Sequence, residues 1–273
     1  MRPGHANVPG RGVRRDFMRG IRGTGWIKRY APALVAGAIL ASSAPALAAG
    51  ETEVTSEQIV TLGGATSAQV EISLDFGYLR LAGGSLAGAG YPMLGGELLR
   101  AEFTDGNGSI SPEIDYEVID EVGHLVLHRS AESAHAWPWE DHRNGASLYL
   151  NPSVPTDLQV EVAAGQTALA LGGMSLTDLD VEMGAGELLL DFAGDWQTDL
   201  AATVKVGAGD LTLRVPRDVG LRVTLDQGFG DVNVDDGSFE DGVYLSDDFA
   251  DAPVTLDLQI ELGAGEVDID LVG

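Results

Sequence analysis

The sequence predicts an all-β fold: a right-handed, solenoid-like stack of short strands with glycine-rich corners, preceded by a smaller, irregular β part. Three observations carry this. Apolar and polar residues alternate with period two, one glycine motif returns at regular intervals, and no stretch after residue 48 has the 3.6 period of a helix.

The repeat is clearest in the second half. Val181-Glu-Met-Gly-Ala-Gly186-Glu-Leu-Leu-Leu is followed by Val204-Lys-Val-Gly-Ala-Gly209-Asp-Leu-Thr-Leu, then Gly228-Phe-Gly230-Asp-Val-Asn-Val, then Gln259-Ile-Glu-Leu-Gly-Ala-Gly265-Glu-Val-Asp-Ile. An eroded copy, Val160-Glu-Val-Ala-Ala-Gly165-Gln-Thr-Ala-Leu, precedes them. The second glycines stand 21, 23, 21 and 35 residues apart, the spacing of a repeat architecture. The long last gap holds an acidic insertion, roughly 235–253. Each copy reads as strand, tight glycine corner, strand, because glycine takes positive φ without a Cβ clash. Leu211, Leu213 and Val215 would face inward; Asp210, Thr212 and Arg214 would face outward.

The first half is less regular. Residues 68–81 around Gly77 look like a distant corner, and 98–103 and 125–129 read as further strands. Asp105-Gly-Asn-Gly108 has the chemistry of a hairpin turn between strands. Residues 130–146 lack a period and read as a loop joining an N-terminal β part, 65–146, to the repeat solenoid, 147–273. Residues 49–64 read as a flexible tail.

The N-terminus has the three parts of a secretory signal: basic residues, a short apolar run from Ala31 to Leu40, and the small-x-small site Ala46-Leu-Ala48. The run is short and rich in Ala and Gly for a membrane span. Cleavage is expected near Ala48, giving an exported, periplasmic or extracellular protein. Arg14-Arg15-Asp-Phe-Met18-Arg resembles a twin-arginine signal; translation from Met18 would instead leave an ordinary signal. Residues 1–48 hold 8 of the 16 basic residues and 1 of the 42 acidic ones, so residues 49–273 keep 8 basic and 41 acidic, a formal charge of −33. Such a surface repels phosphate backbones and excludes nucleic acid as a partner. There is no cysteine, hence no disulfide and no lipid-bearing N-terminal thiol. No transmembrane segment follows the signal.

Catalytic motifs fail. Each Gly-x-Gly lacks the third glycine of a dinucleotide loop; its place is taken by Leu189, Thr212, Asn233 or Asp268. No nucleophile elbow is present, since Gly83-Gly-Ser-Leu-Ala87 misses its last glycine. Asp268 and Asp270 share a strand face, a spacing open to acid/base work but better explained as solvation. Asp231-Val-Asn-Val-Asp235-Asp-Gly237 only partly matches an EF-type loop, although the acidic insertion could hold calcium loosely through its many oxygens. His124 and His128 share strand parity, and His135 and His142 flank an aromatic segment, but the spacing is no known zinc pattern. That segment is the most distinctive local feature. His135, Trp137 and Trp139, with nearby Tyr149, are the candidate contacts for a ligand or partner; the alternative is that the two indoles plug a sheet edge.

The chain also resembles a known family. The matching elements are Gly-Ala-Gly-Glu/Asp followed by Leu-x-Leu, the segment Val215-Pro-Arg-Asp-Val-Gly220-Leu-Arg-Val, the Gly228-Phe-Gly-Asp-Val-Asn-Val corner, Leu148-Tyr-Leu-Asn-Pro-Ser-Val-Pro155-Thr-Asp-Leu, and the stretch around Gly77. Together, over most of residues 65–273, they resemble the bacterial toast-rack domains, related to the extracytoplasmic C-terminal domain of the Lia cell-wall-antibiotic response membrane protein. The resemblance implies a stacked β domain of exported or membrane-linked stress-response proteins, and brings no catalytic residues or cofactor. The expected function is a non-enzymatic binding or adaptor module of the cell envelope, contacting a protein or a glycan. The alternatives are an ion-stabilised structural or adhesive surface protein and a secreted carbohydrate-active hydrolase.

Overall fold

A computed structural model of the chain describes residues 39–42, 54–83, 96–105, 112–130, 144–237, 239–247 and 249–273. These form fifteen strands and no helix: β1 (Ile39–Ser42), β2 (Val54–Thr61), β3 (Ser67–Gly83), β4 (Glu97–Asp105), β5 (Glu113–Ile119), β6 (Val122–Arg129), β7 (Gly145–Leu150), β8 (Thr156–Ala170), β9 (Leu176–Asp191), β10 (Leu200–Pro216), β11 (Gly220–Phe229), β12 (Val232–Val234), β13 (Val243–Leu245), β14 (Thr255–Ala264) and β15 (Val267–Val272). The all-β expectation holds. Among the described residues no helix is long and apolar enough to cross a membrane.

The unit of the fold is a bent rung. In β9, burial falls on Leu179, Val181 and Met183, then on Leu188 and Leu190, so the alternation shifts by one residue at Gly184-Ala-Gly186. The bend lets both legs of the rung turn their apolar side chains into the same core. β3, β8, β9 and β10 each bend this way, at Gly77, Gly165, Gly186 and Gly209; β14–β15 and β11–β12 bend at Gly265 and Gly230. All six glycines have φ between +121° and +145°, a region that L side chains rarely enter. In β3, β8, β9 and β10 the expected corner is therefore a bend inside one continuous strand, while at Gly230 and Gly265 it does separate two strands, as expected.

Rungs stack in parallel and in register, giving a sheet of first legs and a sheet of second legs. The first-leg column Ile72–Val160–Val181–Val204–Ile260 is at most 1% exposed along its length. Burying each such side chain is worth about 1.5–3 kcal/mol, which is how a chain without disulfides holds the stack.

The order of the rungs is not the order of the sequence. The last copy, β14–β15, lies between β10 and the rung β11–β12. The acidic insertion is the crossover that makes this possible. It also caps the end of the stack: β13 pairs antiparallel with β11, and Tyr244, 4% exposed, packs its ring 5.8 Å from Phe239.

At the other end the N-terminal part joins the same stack. β6 pairs with the first leg of β3, and β7 with its second leg. β6 and β7 thus make the two legs of another rung. β3 also pairs with β8 over its whole length, and the core runs through both halves, so no boundary falls at 146/147. Residues 54–61, expected to be flexible, form β2, which is paired with β4. β1, inside the expected signal, pairs with β2. The strands on either side of 105–108 do not form the expected hairpin: β4 pairs with β2 and β7, while β5 pairs with β6. The turn that does form a hairpin is Asp120-Glu121, with φ of +51° and +65°, between β5 and β6. Positive φ at both central residues is what a type I′ turn requires.

Candidate functional site

The outward side of the second legs forms a shallow groove of about 780 Å³ running across the strands. Register places its lining in two rows. One row is Tyr78, Gln166, Glu187 and Asp210, continued by Glu266; the other is Arg80, Ala168, Leu189, Thr212 and Asp268. One end is thus aromatic and cationic, the middle apolar and the far end anionic.

Local packing fixes these groups. Tyr78 lies flat over Gly145, where any Cβ would strike the ring, and its backbone N–H donates to Asn144 O at 3.1 Å. The Gln166 amide donates to Glu187 Oε2 at 3.0 Å. Asn233 donates to Glu266 Oε1 at 2.6 Å and to Asp268 Oδ1 at 2.9 Å. Among the described residues Arg80 and Asp210 have no hydrogen-bond or ion-pair partner. Farther along the strands Asp191 is paired with Arg214 at 2.8 Å, so the protein neutralises acids there but not in the groove.

The opposite, first-leg face carries its own acid ladder. Glu161, Glu182, Lys205, Glu261 and Asp226 lie side by side in register. Burial, then the charges of Glu182, Glu71 and Asp75, push the Glu161 carboxyl above the ordinary range. Asp157 is pushed up by burial, then by Asp178 and Asp180.

The sequence singled out other residues. His135, Trp137, Trp139 and His142 lie outside the described residues. The roots of their loop are firmly held: the buried Arg129 guanidinium donates to Gly145 O at 2.8 Å and Thr104 O at 2.9 Å, and lies 5.9 Å from the Phe103 ring centre. Tyr149 is in β7 and only 7% exposed, so a ligand would meet little of its ring. His124 and His128 both lie on β6, in register with Gln69 and Ser73. Among the described residues no three His, Asp or Glu side chains converge to hold a metal ion. Sequence reasoning missed the groove. Its signal was Leu189, an apolar residue at a position that the alternation assigns to the outside.

A crystal structure described as a "putative cell adhesion protein" from Clostridium sporogenes ATCC 15579 is similar to this chain, with a TM-score of 0.69, 21% identity, and coverage of 81% of this chain and 100% of that one. At that identity the likeness is one of fold. A "putative adhesin" from Bacteroides fragilis NCTC 9343 covers 80% of this chain and 98% of its own at 10% identity, with a TM-score of 0.33. No curated protein matches the chain. The family model described as the N-terminal domain of toast_rack, DUF2154, matches residues 48–214, more than half of the chain, and the chain belongs to that family.

Proposed function

We propose that the protein is a non-enzymatic binding module of the bacterial cell envelope or exterior, exported by its N-terminal signal, and that it docks its partner on the outer face of the second-leg sheet. The observation that carries this reading is the groove itself: a concave strip of mixed apolar and polar side chains on a rigid ladder. The segment bearing His135, Trp137 and Trp139 supports it, because it leads in sequence into Asn144 and Gly145, which lie beside Tyr78 at the groove's aromatic end. Loops on a rigid scaffold are where binding residues concentrate. The family, and the fold shared with a "putative cell adhesion protein", support an adhesive or adaptor role.

Leu189→Arg tests the reading. It places a long charged side chain in the groove from an outward position and leaves the core untouched. Immobilised protein should bind isolated cell envelopes saturably, and Leu189→Arg should abolish binding with its melting curve unchanged. Absence of saturable binding would overturn the envelope role, and binding indifferent to the substitution would overturn the site; release of sugar from the envelopes would overturn the non-enzymatic reading.

A further inference from the structure

The groove's charges are arranged, not scattered. Glu187, Asp210 and Glu266 are exposed on three neighbouring rungs of one row. The groups that hydrogen-bond them are the neutral amides of Gln166 and Asn233, on Glu187 and Glu266. Strands are about 4.8 Å apart, so this row presents a negative group roughly every 5 Å over about 10 Å. Leu189 and Ala168 form an apolar floor beside it. Roughly 10–15 Å away across β8 and β9 stands Arg80, exposed and unpaired among the described residues.

We propose that this groove takes a basic peptide segment, extended across the strands, with its cationic side chains on the Glu187–Asp210–Glu266 row and a carboxylate on Arg80. This rests on the reading of the groove as the docking face. Lysine and arginine suit it in both parts: their aliphatic stems cover Leu189 and Ala168 while their charged ends reach the carboxylates. The whole span from β3 to β15 is four strand spacings, about 19 Å, which an extended chain covers with about six residues. An anionic polymer would meet the carboxylates unscreened. A neutral glycan would leave four acids and an arginine without counter-charge, and would find Tyr78 as its sole aromatic platform among the described lining residues.

The probe is pentalysine with a free C-terminal carboxylate, titrated calorimetrically into the exported protein at low salt and compared with its C-terminal amide. Saturable single-site binding is expected, stronger for the acid than for the amide. The triple variant Glu187→Gln/Asp210→Asn/Glu266→Gln should lose at least about tenfold in affinity, as expected when several close charge pairs are removed. A second triple variant, Glu161→Gln/Glu182→Gln/Glu261→Gln, removes the same charge from the opposite face and should lose less than about threefold. Arg80→Ala should erase the preference for the acid. No saturable binding, equal losses in the two triple variants, or no preference for the acid in the parent protein would each overturn the proposal. If envelope binding stays sensitive to Leu189→Arg while pentalysine neither binds nor competes, the cationic ligand falls and the docking face stands. If pentalysine binds as described but envelopes do not bind, the partner chemistry stands and the envelope role falls.

Discussion

The carbonyl oxygen of Gly186 occupies the space that a Cβ on Gly209 would need. The same relation repeats up the stack, Gly165 on Gly77, Gly186 on Gly165 and Gly265 on Gly209. The corner glycines are therefore required twice over, by their positive φ and by the backbone of the next rung. A mid-stack rung cannot move away from one neighbour without pressing on the other.

Gly209→Ala should thus destabilise strongly, by more than the roughly 1–3 kcal/mol of backbone strain alone, and Gly209→Val at least as much. Gly173 is the control. Its φ is +74°, but the space that a Cβ would take is clear to 4 Å, so Gly173→Ala should cost only the φ strain, about 1 kcal/mol. Chemical denaturation of both variants checks the ordering; equal costs would show that the rung contact does not matter.

Thr167 occupies a core position in register with Leu79 and Leu188, at 3% exposure, and its hydroxyl has no hydrogen-bond partner among the described residues. A buried, unpaired hydroxyl costs roughly 1–3 kcal/mol. Thr167→Val keeps the shape and removes the hydroxyl. It should raise stability by about 1 kcal/mol, read as a higher denaturation midpoint at an unchanged slope. A lower midpoint would mean that the hydroxyl is satisfied.

In-register stacking turns single acids into ladders, so stability should respond to salt and pH. Added sodium chloride, up to about 1 M, should raise the melting temperature by screening these rows. The folded-state pKa values of Glu161 and Asp157 are raised. For a carboxyl this means that the folded state holds the proton more tightly than the unfolded one. The contribution is therefore most favourable below the unfolded value and is lost as pH rises through the raised folded value. Glu161→Gln should accordingly raise the melting temperature at pH 7 and have little effect in acid. Because the group is largely solvent-screened, the gain should stay below about 0.5 kcal/mol. An equal effect at both pH values would point to packing rather than charge.

Much of the fold was legible in the sequence, because stacking in register makes each rung carry the same pattern. Gly165, Gly186, Gly209, Gly230 and Gly265 marked the corners, and Leu211, Leu213 and Val215, read as inward-facing, are fully buried. The rung order was not legible. Copies with the same edges can pair in more than one order, and nothing local to 255–272 shows that it inserts beside β10. The Asp120-Glu121 turn was missed because its residues lack the usual Asn-Gly or Asp-Gly signature of positive φ. The groove needed the register itself, since Tyr78, Leu189 and Glu266 are neighbours only through the ladder.

The tryptophans give the last test, because the buried Trp196 sets the scale for losing a core indole. Trp196, in the connection between β9 and β10, is 7% exposed; its indole N–H donates to Phe192 O at 2.7 Å, and its ring centre lies 5.9 Å from that of Phe192. It closes the core where the chain leaves one rung for the next. Trp196→Ala removes a large buried ring and the donor together and should cost about 3–5 kcal/mol. Trp137 and Trp139 sit instead in the segment between the roots that Arg129 fastens. If they contact a partner, Trp137→Ala/Trp139→Ala should weaken envelope binding and leave the denaturation midpoint almost where it was. If they plug a sheet edge, the double variant should lose stability on the scale of Trp196→Ala. Running Trp196→Ala and the double variant side by side, for melting and for envelope binding, separates the two roles: a stability loss comparable to that of Trp196→Ala would remove His135, Trp137 and Trp139 from the binding surface.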